Sequence, residues 1–361
     1  MAEAASGHDD ALDYRSAMTS PCDTCATSPC CTYLPLDNFE VHTLVDLDYA
    51  VFLLNFEDIE LGVNRAGEWT SFYVRSCRHL TAEGRCGVHG TDEQPHVCQQ
   101  YSAFNCWYRP ALVAERGDHV RVDRARLQWI LDRIEFGPDR EIRALPTWEE
   151  LSAHVAAEPL PRVGPTGAPH DSPKPFAEAP GPSDVVAPPG SPGLAILTAH
   201  EPCDGCAAYC CTTLLFPISP PDSMSHLDYL RFVLGFPNVT INVVDRVWRL
   251  AVRTRCRHLD GNRCGVFGEW DRPLRCSGYD AWQCSYVPSL GPQAVERPPR
   301  GVTLTADDFP LLADCLGYDV ETGEVVDVPD LEGLAAALYV LRAERDALAA
   351  GRRQLPITPV G

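Results

Sequence analysis

CDTCATSPCC, residues 22–31, and CDGCAAYCC, residues 203–211, are the two stretches that decide the architecture of this chain. Each sets two cysteines apart by two residues and closes on a vicinal pair. Cys22, Cys25, Cys30 and Cys31 are thereby answered by Cys203, Cys206, Cys210 and Cys211. Further out the order holds, with Cys77, Cys86, Cys98 and Cys106 returning as Cys256, Cys264, Cys276 and Cys284. Only Cys315 has no counterpart, its place in the first copy being taken by Arg133.

The repetition extends beyond cysteine. Cys77-Arg78-His79-Leu80 and Arg85-Cys86-Gly87-Val88 recur as Cys256-Arg257-His258-Leu259 and Arg263-Cys264-Gly265-Val266. Leu47-Asp48-Tyr49 with Phe52, Leu54 and Phe56 recurs as Leu227-Asp228-Tyr229 with Phe232, Leu234 and Phe236. Trp69 and Trp248 each precede the first cysteine of a second loop, and the segment from Leu127 to Val155 parallels that from Phe309 to Val340. A period this long with matched residues marks a tandem duplication.

The resulting layout is an acidic, disordered lead-in at 1–20, a lobe at 21–156, a Pro/Gly-rich linker at 157–194, a second lobe at 195–351 and a tail at 352–361. Eleven prolines between Pro159 and Pro192 oppose both helix and ladder, so the lobes are expected to fold independently on a flexible tether. With 361 residues, two domains fit the length. The fold class is α+β: two homologous cysteine-rich lobes, each a helix plus a β-hairpin with irregular metal-binding loops and closing helices. The hairpins are read at Ile59–Asn64 with Trp69–Ser76 and at Val239–Val244 with Val247–Thr254, the last alternating cleanly through Trp248, Leu250 and Val252. Ser225 with Asp228 is read as the capping box of the first helix in copy two.

A net charge of −20 repels phosphate backbones, which excludes nucleic acid as a partner. Met1 to Ser20 holds no apolar run, so neither a signal peptide nor a membrane anchor is expected, and a cytoplasmic location follows. In a reducing compartment seventeen cysteines point to metal ligands rather than disulfides. Thiolate is the donor preferred by zinc and by iron–sulfur clusters, and a two-residue turn lets both sulfurs face one ion. Eight sulfurs per lobe suffice for two four-ligand sites: two zincs, two clusters or one of each. Neighbouring residues project differently, so a vicinal pair either divides between two centres or keeps one member as a buried thiol. The second-loop cysteines are expected to converge with the leading cluster, because a helix and a hairpin return the chain to its starting end.

His79 and His258 read as either ligands or hydrogen-bonding supports of ligands. His89 and His96 are replaced by Phe267 and Leu274 in copy two and serve nothing common to both. Tyr101, Tyr279, Trp69 and Trp248 read as core or as shields of the metal, and Cys315 as a buried thiol.

The cysteine series resembles the CxxCxxCC family, the YkgJ-like cysteine-cluster proteins regarded as zinc- or iron-chelating domains. The family pattern is a leading cluster ending in a vicinal pair, then Cys-x-x-Leu, Cys-x-Ile/Val-Tyr and Arg-Pro-x-x-Cys. Copy two matches it with Cys203, Cys206, Cys210 and Cys211, Cys256 with Leu259, Cys264 with Val266, and Arg272-Pro273 with Cys276. Copy one matches with Cys77 and Leu80, Cys86 and Val88, and Pro95 and Cys98, with Gln94 in place of the arginine. His89 and Phe267 replace the tyrosine, and Cys106 and Cys284 are additional. The resemblance implies a protein that binds metal ions, with zinc or iron, including an iron–sulfur cluster, as cofactor. Two other classes stay open: an iron–sulfur-dependent protein-modifying enzyme similar to flagellin lysine methylase, and a zinc-stapled interaction scaffold. No phosphate-cradling glycine loop, nucleophile elbow or His-Glu metalloprotease pair is present.

Overall fold

A computed structural model describes residues 13–25, 28–108, 112, 119–160, 208–244, 247–261, 263–269, 272–279, 301–322 and 324–349. Cys203, Cys206 and Cys284, the lead-in through residue 12, the linker from residue 161 and the tail lie outside these residues.

Helix and antiparallel sheet mix in the α+β manner, and each lobe is built on a four-stranded sheet rather than a hairpin. Lobe one has β1 (Tyr33–Glu40), α1 (Leu44–Leu53), β2 (Ile59–Asn64), β3 (Glu68–Val74), the turn helix α2 (His96–Gln99), β4 (His119–Val122), α3 (Arg124–Leu131) and α4 (Trp148–Ala157). Lobe two has β5 (Thr213–Ile218), α5 (Met224–Leu234), β6 (Val239–Val244), β7 (Val247–Arg253), the turn helix α6 (Leu274–Ser277), β8 (Gly301–Leu304), α7 (Phe309–Cys315) and α8 (Leu331–Ala349). The sheet orders, β1-β3-β2-β4 and β5-β7-β6-β8, are the same. A two-stranded ribbon separates the last two helices of each lobe.

The hairpins fall where the sequence places them, with a turn at Asn64–Gly67 in which Gly67 takes φ +88°. The strands beside them, β1 and β5, were not anticipated. Pro35 and Pro217 break their patterns, and both strands run along a sheet edge, where a missing N–H is tolerated. The cap of α5 also differs from expectation. Ser223, not Ser225, accepts from the His226 backbone N–H at 3.1 Å. In lobe one Thr43 and Asp46 form a full capping box on α1.

Matched positions build matched cores. Leu47, Leu54, Phe56, Ile59, Leu61, Val63 and Trp69 are buried in lobe one, as are Leu227, Leu234, Phe236, Val239, Ile241, Val243 and Trp248 in lobe two. Cross-strand pairs agree too: Val63 faces Trp69 and Val243 faces Trp248. The poor alternation of β3 has a physical cause. Its second face is covered by Tyr33, Tyr108 and Leu112 packed around Phe72, so apolar residues are wanted on both sides.

The lobes do not stand apart. The buried residues of both sheets form one continuous core, and the interface between the lobes is crossed by backbone hydrogen bonds. Glu57 N donates to Arg255 O at 2.8 Å, Arg78 N to Gly235 O at 2.8 Å and Arg257 N to Asn55 O at 2.9 Å. The Tyr73 hydroxyl donates to Pro237 O at 3.0 Å. The lobes, expected to fold independently, thus share an interior to which the apolar ends of α1 and α5 both contribute, and the expected tether lies outside the described residues.

Candidate metal centres in the cysteine loops

In each lobe the leading loop and the second loop are tied together by backbone. Cys77 N donates to Cys31 O at 2.7 Å, and Cys256 N to Cys211 O at 2.7 Å. The vicinal pairs sit on short helical turns entered through a left-handed residue, Ser28 (φ 39°) and Ala208 (φ 54°). Cys31 N returns to Ser28 O at 2.9 Å and Cys211 N to Ala208 O at 2.8 Å. Ser28 also donates its hydroxyl to Gly84 O at 2.6 Å, a second clasp between the loops of lobe one that the sequence did not announce.

Within the second loops the chain folds back on itself. Leu80 bridges to Cys86 and Leu259 pairs with Cys264, while Gly87 N reaches His79 O and Gly265 N reaches His258 O, both at 2.7 Å. A Cβ at Gly87 or Gly265 would stand 3.2 or 3.1 Å from that carbonyl, so glycine permits the close turn. Cys98 and Cys276 follow on the turn helices α2 and α6.

The thiols gather into neighbourhoods that are legible from their mutual electrostatics. Burial raises the Cys77 thiol, and Cys86 and Cys30 raise it further. Burial, then Cys77, Cys30 and Cys86, pushes Cys98 up to about 12. Cys31 is raised by its hydrogen bond with Cys30, by burial and by Cys30, Cys77 and Cys86. Cys22 is raised by burial and then by Cys30, Cys106 and Cys25. Lobe two repeats the first pattern. Cys211 is raised by its hydrogen bond with Cys210, by burial and by Cys210, Cys256 and Cys264. Cys276 is pushed up to about 12 by burial and by Cys210, Cys256 and Cys264, against the opposing Arg272 guanidinium. Cys30 and Cys210 go the other way, the latter to about 7, because each receives the hydrogen bond of its vicinal partner.

Like charges this close repel, and a cation among them would relieve the repulsion. The donor chemistry thus fits zinc or an iron–sulfur cluster. Among the described residues, no three Cys, His, Asp or Glu side chains are disposed to hold one ion between them. The fourteen described cysteines are free thiols.

The remaining candidates separate. His258 faces Asn55 Oδ1 across the lobe interface at 3.3 Å, and burial followed by Arg78 lowers the His79 pKa. His89 and His96 are exposed. Trp69 and Trp248 belong to the core. Tyr101 lies against Cys106, and its ring is tilted 58° to that of Tyr108 at a centroid distance of 6.1 Å. Cys315 is half-buried against the core and is not among the electrostatic neighbours of either gathering. No described helix is long and apolar enough to cross a membrane. Compared with family models, with curated proteins and with solved structures, the chain matches none.

Proposed function

We propose that this is a metal-binding protein of the cytoplasm, a tandem duplicate in which each lobe holds two centres through eight thiolates. The observation that carries this reading is the meeting of the leading and second loops in both lobes, with thiols close enough to raise one another. In lobe one we assign Cys22, Cys25, Cys106 and Cys30 to one centre and Cys31, Cys77, Cys86 and Cys98 to the other, with Cys30 also bordering the second set through Cys77 and Cys98. That is four donors each, the number a structural zinc or a cluster takes. Lobe two supplies Cys211, Cys256, Cys264 and Cys276 for the second set, with Cys210, Cys203, Cys206 and Cys284 assigned to the first by position. The vicinal cysteines then divide between the centres.

A bound zinc would fix the loops, whereas a bound cluster would add one-electron transfer. The chain's own part is to gather the thiolates, hold His79 and His258 as supports and shield the site with Tyr101 and Tyr279. The resemblance to the cysteine-cluster family rests on this order of residues. Elemental analysis after anaerobic purification tests the reading: up to four centres per chain are expected, brown and absorbing near 400 nm for clusters, colourless for zinc. Protein that emerges metal-free, and takes up neither zinc nor iron on reconstitution, would sink it.

A further inference from the structure

The turn helices that present Cys98 and Cys276 are held by the lobe to which they do not belong. Asp228, on α5 of lobe two, accepts hydrogen bonds from His96 N and, at 3.3 Å, from Val97 N, the two residues before Cys98. Asp48, on α1 of lobe one, accepts from Leu274 N at 2.8 Å and Arg275 N at 3.1 Å, the two residues before Cys276. The cap residues themselves are Pro95 and Pro273, which offer no side-chain acceptor. A carboxylate across the interface therefore does for each turn what an N-cap side chain does for an ordinary helix.

Neighbouring contacts reinforce the exchange. Arg231, beside Asp228, donates to Asp92 O and Gln94 O at 3.0 Å each, and Arg275 lies 4.8 Å from the Tyr49 ring centroid. The position where Gly235 would carry a Cβ is 3.4 Å from the Cys77 sulfur, so α5 also abuts the first cysteine of the opposite loop. Because Asp48 and Asp228 occupy equivalent places in the duplication, the arrangement is isologous within one chain.

We propose that in each lobe the centre to which Cys98 or Cys276 belongs is positioned from the opposite lobe, with Asp228 fixing the Cys98 turn of lobe one and Asp48 fixing the Cys276 turn of lobe two. A four-residue turn has too few internal hydrogen bonds to hold a ligand on its own, and ligands tolerate little misplacement. The metal readout of this proposal rests on the function given above; the structural readout does not.

Full-length Asp228→Ala and Asp48→Ala, purified anaerobically, are compared with the parent by timed thiol alkylation mapped by mass spectrometry, with metal content and circular dichroism alongside. Asp228→Ala should speed alkylation of Cys98 about tenfold and leave Cys276 unchanged, and Asp48→Ala should do the reverse. Asp228→Asn keeps the single acceptor oxygen that both bonds use and should restore most of the protection, whereas Asp48→Asn keeps one of its two acceptors and should restore part of it. Should either alanine variant unfold, the asparagine variants decide by the same crosswise pattern, at about threefold. Acceleration in the mutated lobe itself, equal acceleration in both, or none in either overturns the proposal. A metal-free parent would defeat the metal reading, while the crosswise alkylation pattern would still test the positioning.

Discussion

Cys30 and Cys31 differ by one position and by the company they keep. Cys31 is raised by Cys77 and Cys86 as well as by its neighbour, whereas Cys30 raises Cys22 on one side and Cys77 and Cys98 on the other. On the proposed assignment of ligands, Cys31→Ser should remove one centre from lobe one, while Cys30→Ser should weaken both and leave lobe two at full metal. Metal per chain, measured after anaerobic purification, checks this; unchanged content in Cys30→Ser would mean that this thiol is no ligand. The spacing of the cysteines made the gathering legible, because two loops flanking a helix and a hairpin return to one end. It could not show which loop thiols face Cys30, since that depends on how Ser28 and Ala208 turn the chain into the left-handed region. Asp48 and Asp228 were visible as members of a repeated Leu-Asp-Tyr triplet. Their partners lie more than 130 residues away, and a carboxylate on a helix reads as a solvated face until the opposite lobe is in place.

At the scale of elements, the caps and edges carry the lesson. The hairpins were readable because Ile59, Leu61 and Val63, like Val239, Ile241 and Val243, keep the two-residue period of a buried strand face. The edge strands were not readable, since Pro35 and Pro217 imitate the end of a strand. The start of α5 was misread by two residues because Ser223 and Ser225 both precede an apolar helical run and only geometry distinguishes them. Ser223→Ala removes the acceptor for His226 N and should destabilise the protein by about 1 kcal/mol. Ser225→Ala, exposed inside the helix, should be neutral or stabilise by ~0–0.5 kcal/mol. Urea unfolding of the two variants separates the assignments: equal midpoints would show that the Ser223 cap contributes nothing measurable.

For the whole molecule, the question is whether two lobes or one body unfolds. Each lobe has enough apolar residues to suggest a core of its own, and nothing in their number says that Phe56 and Phe236 serve a common interior. The repeated order of residues was plain in the sequence, but the pairing of its halves was not, because interface and core residues are both apolar and repeat with the same period. The interface now has stated content: exchanged backbone hydrogen bonds at Asn55, Glu57, Arg78 and Gly235, a bridge between Phe56 and Cys256, and helix α1 against turn α6 as α5 is against α2. A fully buried phenylalanine alone contributes about 1.5–3 kcal/mol, so contacts on this scale hold fragments together without a covalent link. A site-specific protease sequence placed between residues 170 and 190 and cleaved under native conditions should leave the two fragments eluting as one species at the position of the uncut chain. Adding Phe236→Ala, which opens a cavity worth about 3–5 kcal/mol in that interior, should let them separate or unfold together. Clean separation of the unmutated fragments, each keeping its metal, would instead establish two self-sufficient lobes and remove the physical basis for cross-lobe positioning.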